Sequence, residues 1–378
     1  MMVRGLVLTL LVCGLLICSA RAFGQVGKVY PSEGKVYTDE KTGHEVVMLT
    51  THPATDDKMY QTHPSWTADG NYIVFKSDRS GSTQLFALSE KDGTITQLTD
   101  GGMNLGTACV GRLRNNIFLM RDTKLVALDI DKVVGGAPES AETVIAEMPV
   151  GLVPSSALSQ SADGLLLGFM ARVDEKDRWV IMTINVKDGS AKTVFESDFK
   201  LGHLQFSPAP QPNPTTAGTW IMYCHETGGD ADQRTWIINT AERKPIPFYR
   251  EQPDEWVTHE VWSPDGAGAY FTRWQPVKSV MYVSKADFSS RVLGDGPYWH
   301  VGVSRAGDAI TCDMMDGKIL HIPATGGDPV LLTAGHRNRK GAHPHPSFSP
   351  TGDRVLFNSN RNGSSDLFTA RVKKGSGA

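Results

Sequence analysis

The apolar positions of this chain come in short runs separated by Gly, Pro, Asp, Asn and Ser. That punctuation predicts many short strands joined by turns rather than long helices. The runs repeat. His63-Pro-Ser-Trp-Thr-Ala-Asp-Gly70 leads into Asn71-Tyr-Ile-Val-Phe-Lys-Ser-Asp-Arg79, and His259-Glu-Val-Trp-Ser-Pro-Asp-Gly266 leads into Ala267 to Arg273. His345-Pro-Ser-Phe-Ser-Pro-Thr-Gly352 leads into Asp353-Arg-Val-Leu-Phe-Asn-Ser-Asn-Arg361. Weaker copies start near Ser155, at His203 and at His300, and a degenerate copy without the turn signature spans Asn104 to Asp129. The seven units are spaced about 40 to 56 residues apart, the period of propeller blades.

Within a unit the pattern predicts four antiparallel strands. A short strand ends in a Gly turn, and an alternating run follows, with Tyr72 and Val74 set against Ile73 and Phe75. A polar loop then leads to Gln84-Leu-Phe-Ala-Leu88, and Asp92-Gly93 leads to Ile95-Thr-Gln-Leu-Thr99. The last unit has only three strands before Val372, while Gly43-His-Glu-Val-Val-Met-Leu-Thr50 looks like an outer strand without a unit of its own. The expected fold is therefore all-β: a seven-bladed β-propeller over residues 23–378, with an N-terminal strand closing the last blade.

Residues 1–22 stand apart. Arg4 precedes an apolar run from Gly5 to Ser19, and Ala20-Arg21-Ala22 is a small-x-small cleavage site, so a signal peptide and a periplasmic or secreted protein are expected. A lipoprotein leader needs a small residue before its cysteine, where this chain has Val12 and Ile17. No membrane span is expected in the rest. Lys and Arg total 38 against 41 Asp and Glu, so bulk charge argues against nucleic acid as a partner. Cys109, Cys224 and Cys312 are widely spaced in apolar runs and read as buried small hydrophobes, with no disulfide framework.

A propeller says little about activity; the histidines say more. His63, His203, His259, His300 and His345 occupy equivalent places in five repeats, at the start of the innermost strand, and should face one axial funnel. Any one of them could simply cap a turn. The His343-x-His345 pair is a chelate spacing, and imidazole suits Mn, Fe, Zn or Cu. His225 ends a second strand, whereas His44, His52, His321 and His336 are expected at the surface. Arg234, entering the strand Thr235-Trp-Ile-Ile238, is either an anion trap or half of a blade-to-blade ion pair.

Together these motifs resemble the oligogalacturonate lyase family over nearly the whole chain after the leader. They are Gly27-Lys-Val-Tyr-Pro-Ser-Glu33, Thr62-His-Pro-Ser-Trp66, Gln233-Arg-Thr-Trp236, His259-Glu-x-Trp262, the His300 segment and His343-Pro-His-Pro-Ser-Phe-Ser-Pro350. The resemblance implies a propeller that cleaves an acidic oligosaccharide by β-elimination with a divalent metal, typically Mn²⁺. It implies His300, His343 and His345 as metal ligands, with Lys340 standing where the family places a ligating Gln. It implies His259 as catalytic base and Arg234 as carboxylate clamp, with His63, His203 and His225 left as substrate contacts. The other readings are a non-catalytic periplasmic binding propeller of the TolB type, and a metal-dependent propeller acting on another acidic or oxidised sugar.

Overall fold

The computed structural model describes residues 25–173, 177–210, 217–227, 231–336 and 343–372. The leader and Lys340 therefore lie outside the described residues. Seven antiparallel sheets follow one another as blades, each with four or five strands. Their first strands contact one another around the axis: Leu201–Phe206 in blade 4 touches Trp256–Trp262 in blade 5, which touches Tyr298–Val303 in blade 6. A short helix at Ile130–Val134 and a 3₁₀ turn at Pro138–Ser140 lie in the degenerate blade 2, and Ala217 is also helical.

The alternation expected in each second strand sorts residues between two cores rather than between core and water. Ile73, Val74 and Phe75 are all fully buried. Val74 packs with Leu85 and Ala87 against Val110, Ile117 and Leu119 of blade 2. Ile73 and Phe75 pack on the other side against Leu356 and Leu367 of blade 7. Every blade is thus buried on both faces, and the seven apolar clusters lie one at each blade-to-blade seam. At about 25 cal/mol per Å² of apolar surface, these seams are the main source of stability.

Closure occurs as expected, and goes further. Glu45–Met48 pairs antiparallel with the last strand, Val46 opposite Ala370 and Met48 opposite Phe368. Lys35–Thr38 adds a fifth strand outside it. Ahead of both, Val29–Tyr30 pairs with Thr96 and Ile95 as a fifth strand of blade 1. The N-terminal segment therefore belongs to two blades before the chain enters the first strand of blade 1.

The innermost strands are bulged at their histidines. The ladder breaks between Gly202 and Gln205, between Thr258 and Val261, and between Tyr298 and Val301. His203, His259 and His345 hold positive φ angles of 52°, 60° and 46°. A bulge leaves a residue unpaired and re-aims its side chain, and a non-Gly left-handed residue persists only where its surroundings hold it. Local strain of this kind concentrates at functional sites, and here it marks the axis.

Candidate functional site

His300 is the best-anchored residue of the axis. Asp313, fully buried on the neighbouring strand, accepts from the His300 backbone N–H at 2.7 Å and lies 3.0 Å from Nδ1 with both carboxylate oxygens. Nδ1 therefore carries the proton donated to Asp313, which makes Nε2 the candidate ligand atom. A carboxylate behind an imidazole in this way fixes the tautomer and orients a ligand ring. His343 and His345 lie not on a strand, as expected, but in the irregular segment that leads into Ser347–Phe348. They still present their rings together, stacked at 5.5 Å, with His345 at 4.3 Å and His343 at 5.8 Å from the His300 ring. One nitrogen from each of the three lies within 4.8 Å of the other two.

These residues fit a divalent ion on two counts. The donor set is three imidazoles, and His343 Nδ1 is buried with no hydrogen-bond partner. Burial and the neighbouring imidazoles hold His345 well below the usual histidine range, and His343 is lowered by burial too, which keeps both neutral and able to ligate. Lys58, whose Nζ donates to the His345 carbonyl at 2.7 Å, is pushed down to about 7 by burial. It holds the left-handed backbone at His345 in place.

His259 sits against His300, ring to ring at 4.2 Å. Its Nδ1 is 2.9 Å from the hydroxyl of Tyr60, and its Nε2 is buried and unpaired. Burial, then nearby imidazoles, keep it far below the usual range, so it is neutral near pH 7. Tyr60 belongs to none of the motifs, yet it stands at the centre, also 5.5 Å from the His203 ring and 4.7 Å from His345. Beside His259 rises an aromatic wall: Trp299 lies at 4.9 Å, and Trp256 and Trp274 pack on Trp299 at 6.0 and 4.8 Å.

Arg234 is buried, and both sequence alternatives bear on it. Its Nε donates to Glu260 of the next blade at 2.8 Å, and its Nη2 is 3.8 Å from Glu226. The blade-to-blade ion pair therefore exists. Glu260 itself is fully buried; Arg234 and His203 together hold its carboxyl far below the ordinary range in spite of burial. His203 Nδ1 meets the same Glu260 at 3.1 Å.

Two candidates fall elsewhere. His63 is absent from the ring-to-ring contacts of the axis; it lines a cavity of about 460 Å³ with Arg112, Arg305 and the turns that follow the innermost strands. Its Nδ1 bonds the Thr62 hydroxyl, and burial, then Arg112, lowers it to about 4. His225, closing Trp220–His225, packs its ring on Phe199 at 4.1 Å. The expectation of surface positions fails for two others: His336 is fully buried between Thr333 and Ser359, and His44 is buried with Nδ1 against the Arg371 carbonyl. Burial of a neutral imidazole costs little once both nitrogens have partners, and a sequence shows no partners.

Comparison with known proteins supports the motif reading. The chain is 24% identical to an oligogalacturonide lyase of Pectobacterium atrosepticum, covering 92% of this chain and 98% of that one. It is 23% identical to an oligogalacturonate lyase of Dickeya dadantii with the same coverage. A solved structure of an oligogalacturonate lyase in complex with manganese superposes with a TM-score of 0.82 at 22% identity, over 92% of this chain and 98% of that one. Another from Vibrio parahaemolyticus gives 0.81 at 19% identity, over 93% and 100%. No family model matches the chain. Fold and site define a seven-bladed β-propeller whose axis is lined with imidazoles. Within that class, proteins named oligogalacturonate lyases are similar to this chain over more than nine-tenths of its length.

Proposed function

We propose that the protein is a metal-dependent lyase that cleaves oligogalacturonides, or closely related uronic-acid oligosaccharides, by β-elimination. The observation that carries this reading is the convergence of His300, His343 and His345 next to His259, a neutral imidazole with one nitrogen anchored and the other unpaired. A binding propeller has no need of that arrangement. The names of the relatives support the substrate class, and the manganese complex supports the metal.

The three imidazoles would hold a divalent ion of the manganese class, whose charge neutralises a uronate carboxylate and so acidifies the neighbouring C–H. With Nδ1–H donated to Tyr60, His259 keeps its Nε2 lone pair for that proton. The C–H electron pair becomes the new C=C bond, and the glycosidic C–O bond on the next carbon breaks with its electron pair going to the leaving oxygen, which takes a proton from water, so the products are an unsaturated uronate and a sugar hydroxyl. The Arg234 guanidinium, buried and carrying a fixed charge, stabilises carboxylate charge as it develops. The indole faces of Trp256, Trp274 and Trp299 give a sugar ring flat apolar surface to lie on. We further infer that this activity is exported, since Arg4, the apolar run to Ser19 and Ala20-Arg21-Ala22 form a leader.

The test is ultraviolet absorbance of unsaturated product when Mn²⁺-loaded protein meets oligogalacturonate. If neither that nor any other uronate oligomer yields unsaturated product, the lyase reading is wrong.

A further inference from the structure

A second group of ligating side chains lies in blade 4, on the other side of His259 from the three-histidine cluster. His203 Nε2 is 3.7 Å from Glu226 Oε2, and Cys224 Sγ is 3.5 Å from the same oxygen. One donor atom from each of the three lies within 4.8 Å of the others. Tetrahedral coordination with bond lengths of roughly 2.0 to 2.3 Å puts neighbouring ligands about 3.3 to 3.6 Å apart. The three side chains thus stand close to ligand spacing before any ion is considered.

Three independent features turn this cluster into a built site. His203 Nδ1 is engaged by Glu260 Oε2 at 3.1 Å, which leaves Nε2 free to ligate and supplies the outer carboxylate that metal-bound histidines ordinarily have. Gly202 floors the cluster: a Cβ there would come within 2.4 Å of Glu226 Oε2 and 2.8 Å of Cys224 Sγ, so only glycine leaves the space open. Charge also balances. Glu226 and Glu260 against the single Arg234 guanidinium leave one negative charge, and loss of the Cys224 thiol proton on metal binding would bring it to two, the complement of a divalent cation.

We propose that His203, Cys224 and Glu226 form a second metal site, selective for a thiophilic divalent cation of the zinc class and distinct from the three-histidine site. A thiolate, an imidazole and a carboxylate are the ligands zinc takes, whereas an all-imidazole and oxygen set suits manganese. Binding releases the Cys224 thiol proton to solvent as the Sγ–metal bond forms. Cys224, expected from sequence to be an inert buried hydrophobe like Cys109 and Cys312, is buried but turns its sulfur to Glu226. Glu226 Oε2 is also the oxygen 3.8 Å from Arg234 Nη2, so the cation and the guanidinium compete for it.

The experiment strips the full-length protein with a chelator and titrates it with Co²⁺, then with Zn²⁺. The expected result is an intense near-ultraviolet thiolate-to-cobalt absorption that Zn²⁺ abolishes. Cys224→Ser and Glu226→Gln should each lose that absorption and one bound equivalent. His343→Ala should keep the absorption, whatever happens to metal at the three-histidine site. Glu260→Gln should weaken cobalt binding about 10- to 100-fold, the usual worth of an outer-shell partner. No thiolate absorption in the wild-type protein, or one that survives Cys224→Ser, overturns the proposal. Glu226 is partly exposed, so Glu226→Gln keeps the test decisive if Cys224→Ser misfolds. Because the readout is metal ligation, its failure is separate from a failure of lyase activity.

Discussion

Two completely buried histidines teach different lessons. His336, at the seam where blade 6 meets blade 7, has both nitrogens paired, Nε2 with the Thr333 hydroxyl at 2.7 Å and Nδ1 with the Ser359 hydroxyl at 2.9 Å. Its ring lies edge-on to Phe357 and Phe368. His300, at the axis, has Nδ1 on Asp313 and faces other imidazoles, His259, His343 and His345. Burial is the same; what differs is whether the second nitrogen is spent inside the fold or held ready. The seam uses polar groups to lock the ring, as Arg79 does between Glu33 and Asp56 at 2.8 Å each. At the axis His259 Nε2 and His343 Nδ1 are buried without partners, which costs stability and leaves them available to bind.

That contrast can be broken at several points, and the largest effect belongs to closure. Deleting residues 25–48 removes strands from both blade 1 and blade 7 and opens the ring, exposing sheet edges. The expected outcome is no cooperative thermal transition, a loss exceeding about 5 kcal/mol, the scale of a domain's whole stability. His259→Ala should lower turnover by roughly two to four orders of magnitude. Its KM and melting temperature should move little; a collapse in stability with turnover per folded molecule intact would make His259 structural.

Arg79→Ala is the mirror experiment. It leaves two acids beside an emptied, fully buried position, and chemical denaturation should show a loss of about 3–5 kcal/mol. Activity per folded molecule should be unchanged, since Arg79 pairs with Glu33 and Asp56 and not with any of the imidazoles.

The seam also makes an acid-sensitive contribution. Burial first, then Arg361, lowers His336 to about 3, with Asp39 pulling weakly the other way. Between about pH 3 and 6.5 the unfolded chain binds the extra proton, so stability rises with pH in that window and the contribution is complete above it. Going from pH 6.5 to 5 should cost ~2 kcal/mol through this group. The melting temperature of His336→Gln should therefore fall less over that range than that of the wild-type protein. The smallest effect is at the axis: Tyr60→Phe removes the hydroxyl bonded to His259 Nδ1, one hydrogen bond of about 1 kcal/mol. About tenfold in kcat is expected, with the metal still bound.

The repeat, the count of seven and the closing strand at Glu45–Met48 were all readable from the chain, because turn residues and apolar runs act over a few neighbours. So was the meeting of His259, His300 and His345, since equivalent places in repeats map to equivalent places around an axis. Only the tertiary structure decided which polar residues support them. Asp313, Glu260 and Tyr60 act across strands or blades, and the pairings that bring them to His300, Arg234 and His259 span up to 199 residues. It also removed His63 from the imidazole cluster and buried His44 and His336. A propeller buries both faces of every blade, so a histidine's surroundings belong to the neighbouring blade, and local pattern carries no record of what that blade puts there.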